Sequence, residues 1–160
     1  MNVSTLFVSI LLSLLPISEL RGGIPYAYLN GVSLFIAAPL CILTNALVAP
    51  IVYTFLATLH RVLHSWWKWY ASFFDRFVER ARAKVYPKVN KYGYWGILLF
   101  VAIPLPVTGA WTGTLGSWIL GLDKRKTMMA VFGGVIVSGL IVTALVALGI
   151  GMNSVFIKRF

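Results

Sequence analysis

Cysteine, histidine and acidic residues are scarce in this chain: one Cys, two His and four Asp or Glu among 160 residues. Cys41 by itself excludes a disulfide framework and a sulfur-held metal cluster. His60 and His64 are spaced i, i+4 and can share a helix face, but no third ligand stands near them, so no metal site is read from the pair. No paired carboxylates, nucleophile–base pair or Gly-rich phosphate loop occurs, so neither an enzyme nor a cofactor is expected. The N-terminus lacks the basic start and small-residue cleavage site of a removable signal, and its apolar run is read as part of the mature protein.

Charge of either sign is thin. Charged residues make up 11% of the chain and hydrophobic residues 59%, with a mean hydropathy of +0.86. That is too apolar for a soluble domain, and several runs are long enough to cross about 30 Å of hydrocarbon. The reading is one multi-pass domain, residues 1–160, in the cytoplasmic (inner) membrane. The net charge of +10 does not indicate nucleic acid. Eight of the fourteen basic residues fall in 61–91, among Trp66, Trp67, Trp69, Tyr70, Phe73 and Phe74. Bases interleaved with aromatics beside a span form an interfacial belt facing anionic membrane lipids. Asp75, Arg76, Glu79 and Arg80 add a polar helical face, so residues 60–92 are read as an amphipathic basic link on the cytoplasmic side.

The apolar stretch 93–121 is basic on both flanks, with Lys84, Lys88 and Lys91 before it and Lys124, Arg125 and Lys126 after it. Lys- and Arg-rich loops stay cytoplasmic, so a segment held there at both ends enters, turns and returns. Pro104, Pro106 and Gly109 break its middle. The zone 3–37 is broken in the same way, from Pro16 to Pro25, and residues 38–59 and 128–152 each suit one crossing. The expected fold is therefore all-α, with two inverted repeats. Each repeat is a re-entrant helical hairpin followed by one transmembrane helix, and the basic link joins them. A four-span alternative puts Lys124–Lys126 outside and forces Pro104 and Pro106 into one continuous helix, where each removes a backbone donor.

Glu19 and Arg21 are the only charges before His60. Ionisable groups at membrane depth cost several kcal/mol and are usually functional. Arg21 offers a permanent planar fork suited to phosphate or carboxylate. Glu19, held out of bulk water, is a carboxyl that can take and release a proton. Pro16, Gly22, Gly23 and Pro25 are expected to form the first bend, with an ascending half-helix starting near Pro25. In the second, Pro104, Pro106 and Gly109 form the bend and Thr108 is the expected cap of the next half-helix. Asn45, Trp111 and Thr112 are candidates to line a path, and Asn45 is equally suited to a bond across to another helix. In the last span, Gly133, Gly134, Ser138, Gly139 and Thr143 read as helix packing, within the monomer or at a dimer interface.

The motifs Glu19-Leu-Arg-Gly-Gly-Ile-Pro25 and Pro104-Leu-Pro-Val-Thr-Gly-Ala-Trp-Thr-Gly113, taken together, resemble the small multidrug export family, which is similar to a distant branch of the DedA/VTT membrane proteins. The resemblance covers nearly the whole chain. It implies two re-entrant hairpins meeting at the membrane centre, a homodimer, and proton-coupled handling of a lipid-linked or amphipathic anion such as a polyprenyl phosphate or phospholipid, with Glu19 and Arg21 as the charged motif. The relatives carry arginines where this chain has Pro104-Leu-Pro-Val-Thr-Gly109. The alternative is a small multidrug exporter of hydrophobic cations, with Glu19 as counter-charge and aromatics as walls.

Overall fold

A computed structural model of the chain describes residues 3–66, 75–76, 79, 83, 89, 91–105 and 108–149. Most of the link expected at 60–92 lies outside these residues, as does Pro106. The described residues form helices and the turns between them, with no strand among them. Seven helices are described: α1 (Val3–Leu14), α2 (Glu19–Leu29), α3 (Leu34–Ala46), α4 (Val48–Trp66), α5 (Tyr94–Ala102), α6 (Ala110–Ile119) and α7 (Lys124–Ala147).

Length sorts them. At 1.5 Å per residue, the 12 residues of α1 and 11 of α2 make rods of about 18 and 17 Å. The 9 residues of α5 and 10 of α6 are shorter still. None of these four crosses hydrocarbon alone. Two stretches are long and apolar enough: Leu34–Leu56, of 23 residues, and α7, of 24. The first includes the junction of α3 with α4, where Pro50 cannot donate to the Ala46 carbonyl and the Leu47 N–H turns to Thr44 O at 3.2 Å. The chain thus bends there without leaving the span.

The helices pack as two similar groups. In the first, α1 and α2 lie on each other and both touch α3; in the second, α5 and α6 touch and both pack on α7. The groups join through α3 and α2 against α7 and through α4 against α6. A polar stripe on α1 makes its close packing possible. Thr5, Ser9 and Ser13 face inward, and the Ser9 and Ser13 hydroxyls donate to Thr5 O at 2.7 Å and Ser9 O at 2.8 Å. The hydroxyls are satisfied by their own helix and stay small enough for α2 to approach at Gly23. A Cβ at Gly23 would stand 2.9 Å from Ser9 O and 3.2 Å from Cys41 Sγ.

The small residues of α7 pack within the chain. A Cβ at Gly134 would lie 2.6 Å from Val101 Cβ and 2.8 Å from Leu98 O, so α5 rests on glycine backbone there. One turn on, a Cβ at Gly139 would collide with the Ile42 side chain of α3. Both α5 and α3 therefore use α7 as a common spine, and this brings Glu19, just after the first break, against Gly109, at the end of the second.

Candidate functional site

Four short helices that stop inside the bundle leave unpaired backbone groups there, because the last carbonyls and first amides of a helix have no partner of their own. At the carbonyl end of α1, Asn45 on α3 donates through Nδ2 to Ser13 O at 2.7 Å. Trp111 on α6 donates through Nε1 to Leu14 O at 2.8 Å. Asn45 is almost wholly buried and its Oδ1 has no partner. Two adjacent carbonyls of one helix are thus held by side chains from two others, one of them in the second group.

The opposite end of the problem is α6. Its N-cap is Gly109, which has no side chain to cap with. Glu19 takes that role: Oε1 accepts the Trp111 N–H at 3.4 Å, and the Ala110 N–H also donates to the carboxyl. A carboxylate at a helix N-terminus meets both free donors and the positive end of the helix dipole. The fit is close, since a Cβ at Gly109 would sit inside the Glu19 carboxyl. Glu19 is 7% exposed and is the buried acid among the described residues. Its own backbone has φ +47, a left-handed conformation costing a non-glycine residue about 1–2 kcal/mol. Such strain persists where surrounding contacts over-determine the geometry, and it concentrates at functional positions.

Arg21 does something different. It is half-buried, and Nη2 donates back to Ile17 O at 3.3 Å, within the turn that precedes α2. The acid therefore reaches across to the second group while the guanidinium stays with the first break.

Several expectations change in detail. The helix after the first break starts at Glu19 and not near Pro25, which lies inside α2. A proline interrupts only one helical bond, and the packing of α2 on α1 and α3 carries the helix through it. Gly22 and Gly23 lie within that helix rather than at the bend. Gly23 serves close packing, and a Cβ at Gly22 would strike the Ser18 hydroxyl. Thr108 does not cap α6. Its hydroxyl lies 2.8 Å from Ile103 O and 2.9 Å from Leu105 O and accepts Leu105 N–H at 3.2 Å, closing the second break on itself. Gly109 directs the chain past Glu19. Pro16 is exposed and Pro104 half-buried, each within its break. Thr112 is buried in α6. The structure thus brings Glu19, Gly109 and Trp111 together, places Asn45 one carbonyl away along α1, and leaves Arg21 at the edge. The backbone acceptors Ser13 O and Leu14 O carry no side-chain signal in the sequence. Only the helix stop ahead of Pro16 hints at them.

A family model described as "Putative small multi-drug export protein" matches residues 19–141, well over half of the chain, from the first residue of α2 into α7. No protein of curated function and no solved structure matches.

Proposed function

This multi-pass membrane chain belongs to the small multidrug export family, and from that membership and the seam geometry we propose that it exports hydrophobic cations, with Glu19 as the exchangeable counter-charge. The observation carrying this reading is the place of the Glu19 carboxyl, buried between a helix end from each group. Two opposed potentials meet at the seam. The first turn of α6 is positive, but Glu19 already satisfies its leading amides. Arg21 directs its guanidinium to Ile17 O. The last carbonyls of α1 are held by Asn45 and Trp111, so the Glu19 carboxyl is the charge at the seam that attracts a cation.

A lipophilic cation and a proton would then compete for one carboxyl. With the proton bound, the cation has no counter-charge and leaves; with the proton lost, the carboxylate recruits the next cation. The 3.4 Å reach from Trp111 N–H to Oε1 is long for a charged acceptor, which leaves the carboxyl free to shift toward a ligand. Trp111 supplies an aromatic wall beside it.

In this reading the pairs α1–α2 and α5–α6 are re-entrant hairpins that enter from opposite faces, and the two groups are inverted repeats, an arrangement shared by many secondary transporters. Support comes from the four short helices and from the matching way each pair packs on its long helix. The basic link and the Asp123–Lys126 turn then share the cytoplasmic side. With Cys41 replaced by Ala, single cysteines introduced at Tyr92 and Leu122 should both react with an impermeant maleimide from the same side. Labelling from different sides overturns the hairpin.

The transport test uses proteoliposomes loaded with tetraphenylphosphonium and diluted into a more acidic medium, so that protons enter as cations leave. Glu19→Gln should lower cation exchange at least tenfold, and Arg21→Ala should leave it within about twofold. One observation favours a second reading, DedA-like carriage of an amphipathic anion: the Arg21 fork is half-exposed and engages a single carbonyl. On that reading Arg21→Ala stops flux of a fluorescent anionic lipid and tetraphenylphosphonium is not moved at all.

A further inference from the structure

The crossing of α5 on α7 is tightest at Gly134, where glycine lets the Leu98 carbonyl and Val101 come close. Toward the N-terminal ends of both helices the pair opens into a cleft of about 280 Å³ lined by Tyr94, Trp95 and Leu98 from α5 and Lys126, Met129 and Ala130 from α7. This is the far end of α5 from the break that faces Glu19. The walls are aliphatic or aromatic. The side is open, with Trp95 71% and Met129 65% exposed. At the rim the Lys126 ammonium stands 5.8 Å from the centre of the Tyr94 ring; Arg125 is exposed on the same turn, and the Lys124 ammonium lies over the Tyr53 ring of α4. The turn carrying these cations is held in shape: Asp123 Oδ1 accepts the Lys126 N–H at 2.9 Å, and the Asp123 N–H donates to Tyr94 Oη at 3.1 Å.

We propose that this cleft binds an anionic glycerophospholipid from the leaflet on the side of the Asp123–Lys126 turn, with one acyl chain between α5 and α7 and the phosphate at Lys126. The apolar walls offer water no partners, so hydrocarbon fills them. The volume falls below the 300–1,000 Å³ common for drug-sized ligands and suits a single chain. The headgroup preference follows from charge. Lys126 stands at the mouth, Lys124 and Arg125 add positive charge to the same turn, and the nearby acid has one carboxylate oxygen engaged with backbone. An aromatic ring and a lysine at the same depth match the interfacial level of a bilayer.

The test uses the full chain in phosphatidylcholine vesicles that contain a fixed minor share of either dibrominated phosphatidylglycerol or dibrominated phosphatidylcholine, and it reads tryptophan quenching. The chain has six tryptophans, so the share of Trp95 is the difference between the chain and its Trp95→Phe variant. Brominated phosphatidylglycerol should quench Trp95 several-fold more than brominated phosphatidylcholine at equal content. Lys126→Gln should lower that preference about fivefold, the worth of one basic side chain at an anionic surface, and Lys126→Arg should keep it. Lys126 is exposed, so neither substitution threatens the fold. Glu19→Gln should leave the preference unchanged, which separates this site from the transport reading. Equal quenching by both lipids, quenching by neither because a second copy covers the cleft, or a preference that survives Lys126→Gln overturns the proposal.

Discussion

Gly109→Ala should cost about 1–3 kcal/mol of stability in detergent, the usual range for an overpacked interior, and should reduce cation exchange at least tenfold. The new methyl would occupy the volume of the Glu19 carboxyl. The carboxyl is buried, and it can move aside only by giving up its α6 amide donors. Pushed away, it becomes a charged or polar group without partners, and the first turn of α6 loses its cap. The decisive measurement is a double-mutant cycle with Glu19→Ala, using unfolding in sodium dodecyl sulfate. Removing the carboxyl vacates the space, so in that background Gly109→Ala should keep only the backbone strain of its φ of +159 and lose the clash, giving a coupling of about 1–3 kcal/mol within the range found for contacting residues. Additive effects would show that the two breaks do not touch through this pair, and the seam would go with them. The same contact explains why a glycine stands at the start of α6 when Ser or Thr would be the ordinary cap.

Gly134→Ala should be the second severe substitution, and Gly133→Ala its mild neighbour. At Gly134 the added carbon would meet Val101 Cβ at 2.6 Å and the Leu98 carbonyl at 2.8 Å. Neither is the far end of a flexible side chain, so α5 itself must back away. A loss of about 2–3 kcal/mol is expected, with cation exchange falling as well, because α5 carries the second break. At Gly133 the nearest atom is Leu98 Cδ1 at 3.0 Å, which a small rotation of leucine relieves. The gain in helix propensity from Gly to Ala, about 1 kcal/mol, offsets that adjustment, and the variant should be close to neutral. Comparing unfolding midpoints of the two variants tests this. Equal losses would mean that α7 does not present Gly134 to α5.

Thr108 and Glu19 show where legibility ended. A threonine just ahead of an apolar helical run is the local signature of an N-cap, and Thr108 fits it. The helix instead starts one residue after Gly109, and its amides are met by Glu19, remote in sequence. Glu19 was conspicuous as an isolated acid in an apolar stretch, but nothing local says which amides it meets. Pro25 failed as a boundary for a related reason. A proline in one turn removes a single hydrogen bond, and the packing of α2 against its neighbours outweighs that loss. Asn45 was legible as a buried amide suited to a cross-helix bond, whereas its acceptor, a main-chain oxygen at Ser13, has no signature of its own.

Composition and the placing of breakers determined the class and roughly where it is interrupted: an apolar helical chain, one break beginning at Pro16 and another at Pro104, and one acid and one guanidinium near the first of them. These depend on hydrophobicity, proline geometry and charge, which act over a few residues and are written in their order. Which helix end meets which side chain was decided only by the tertiary structure. It depends on how closely α3 and α5 settle onto the glycines of α7, and that distance is set by packing between segments the sequence keeps far apart.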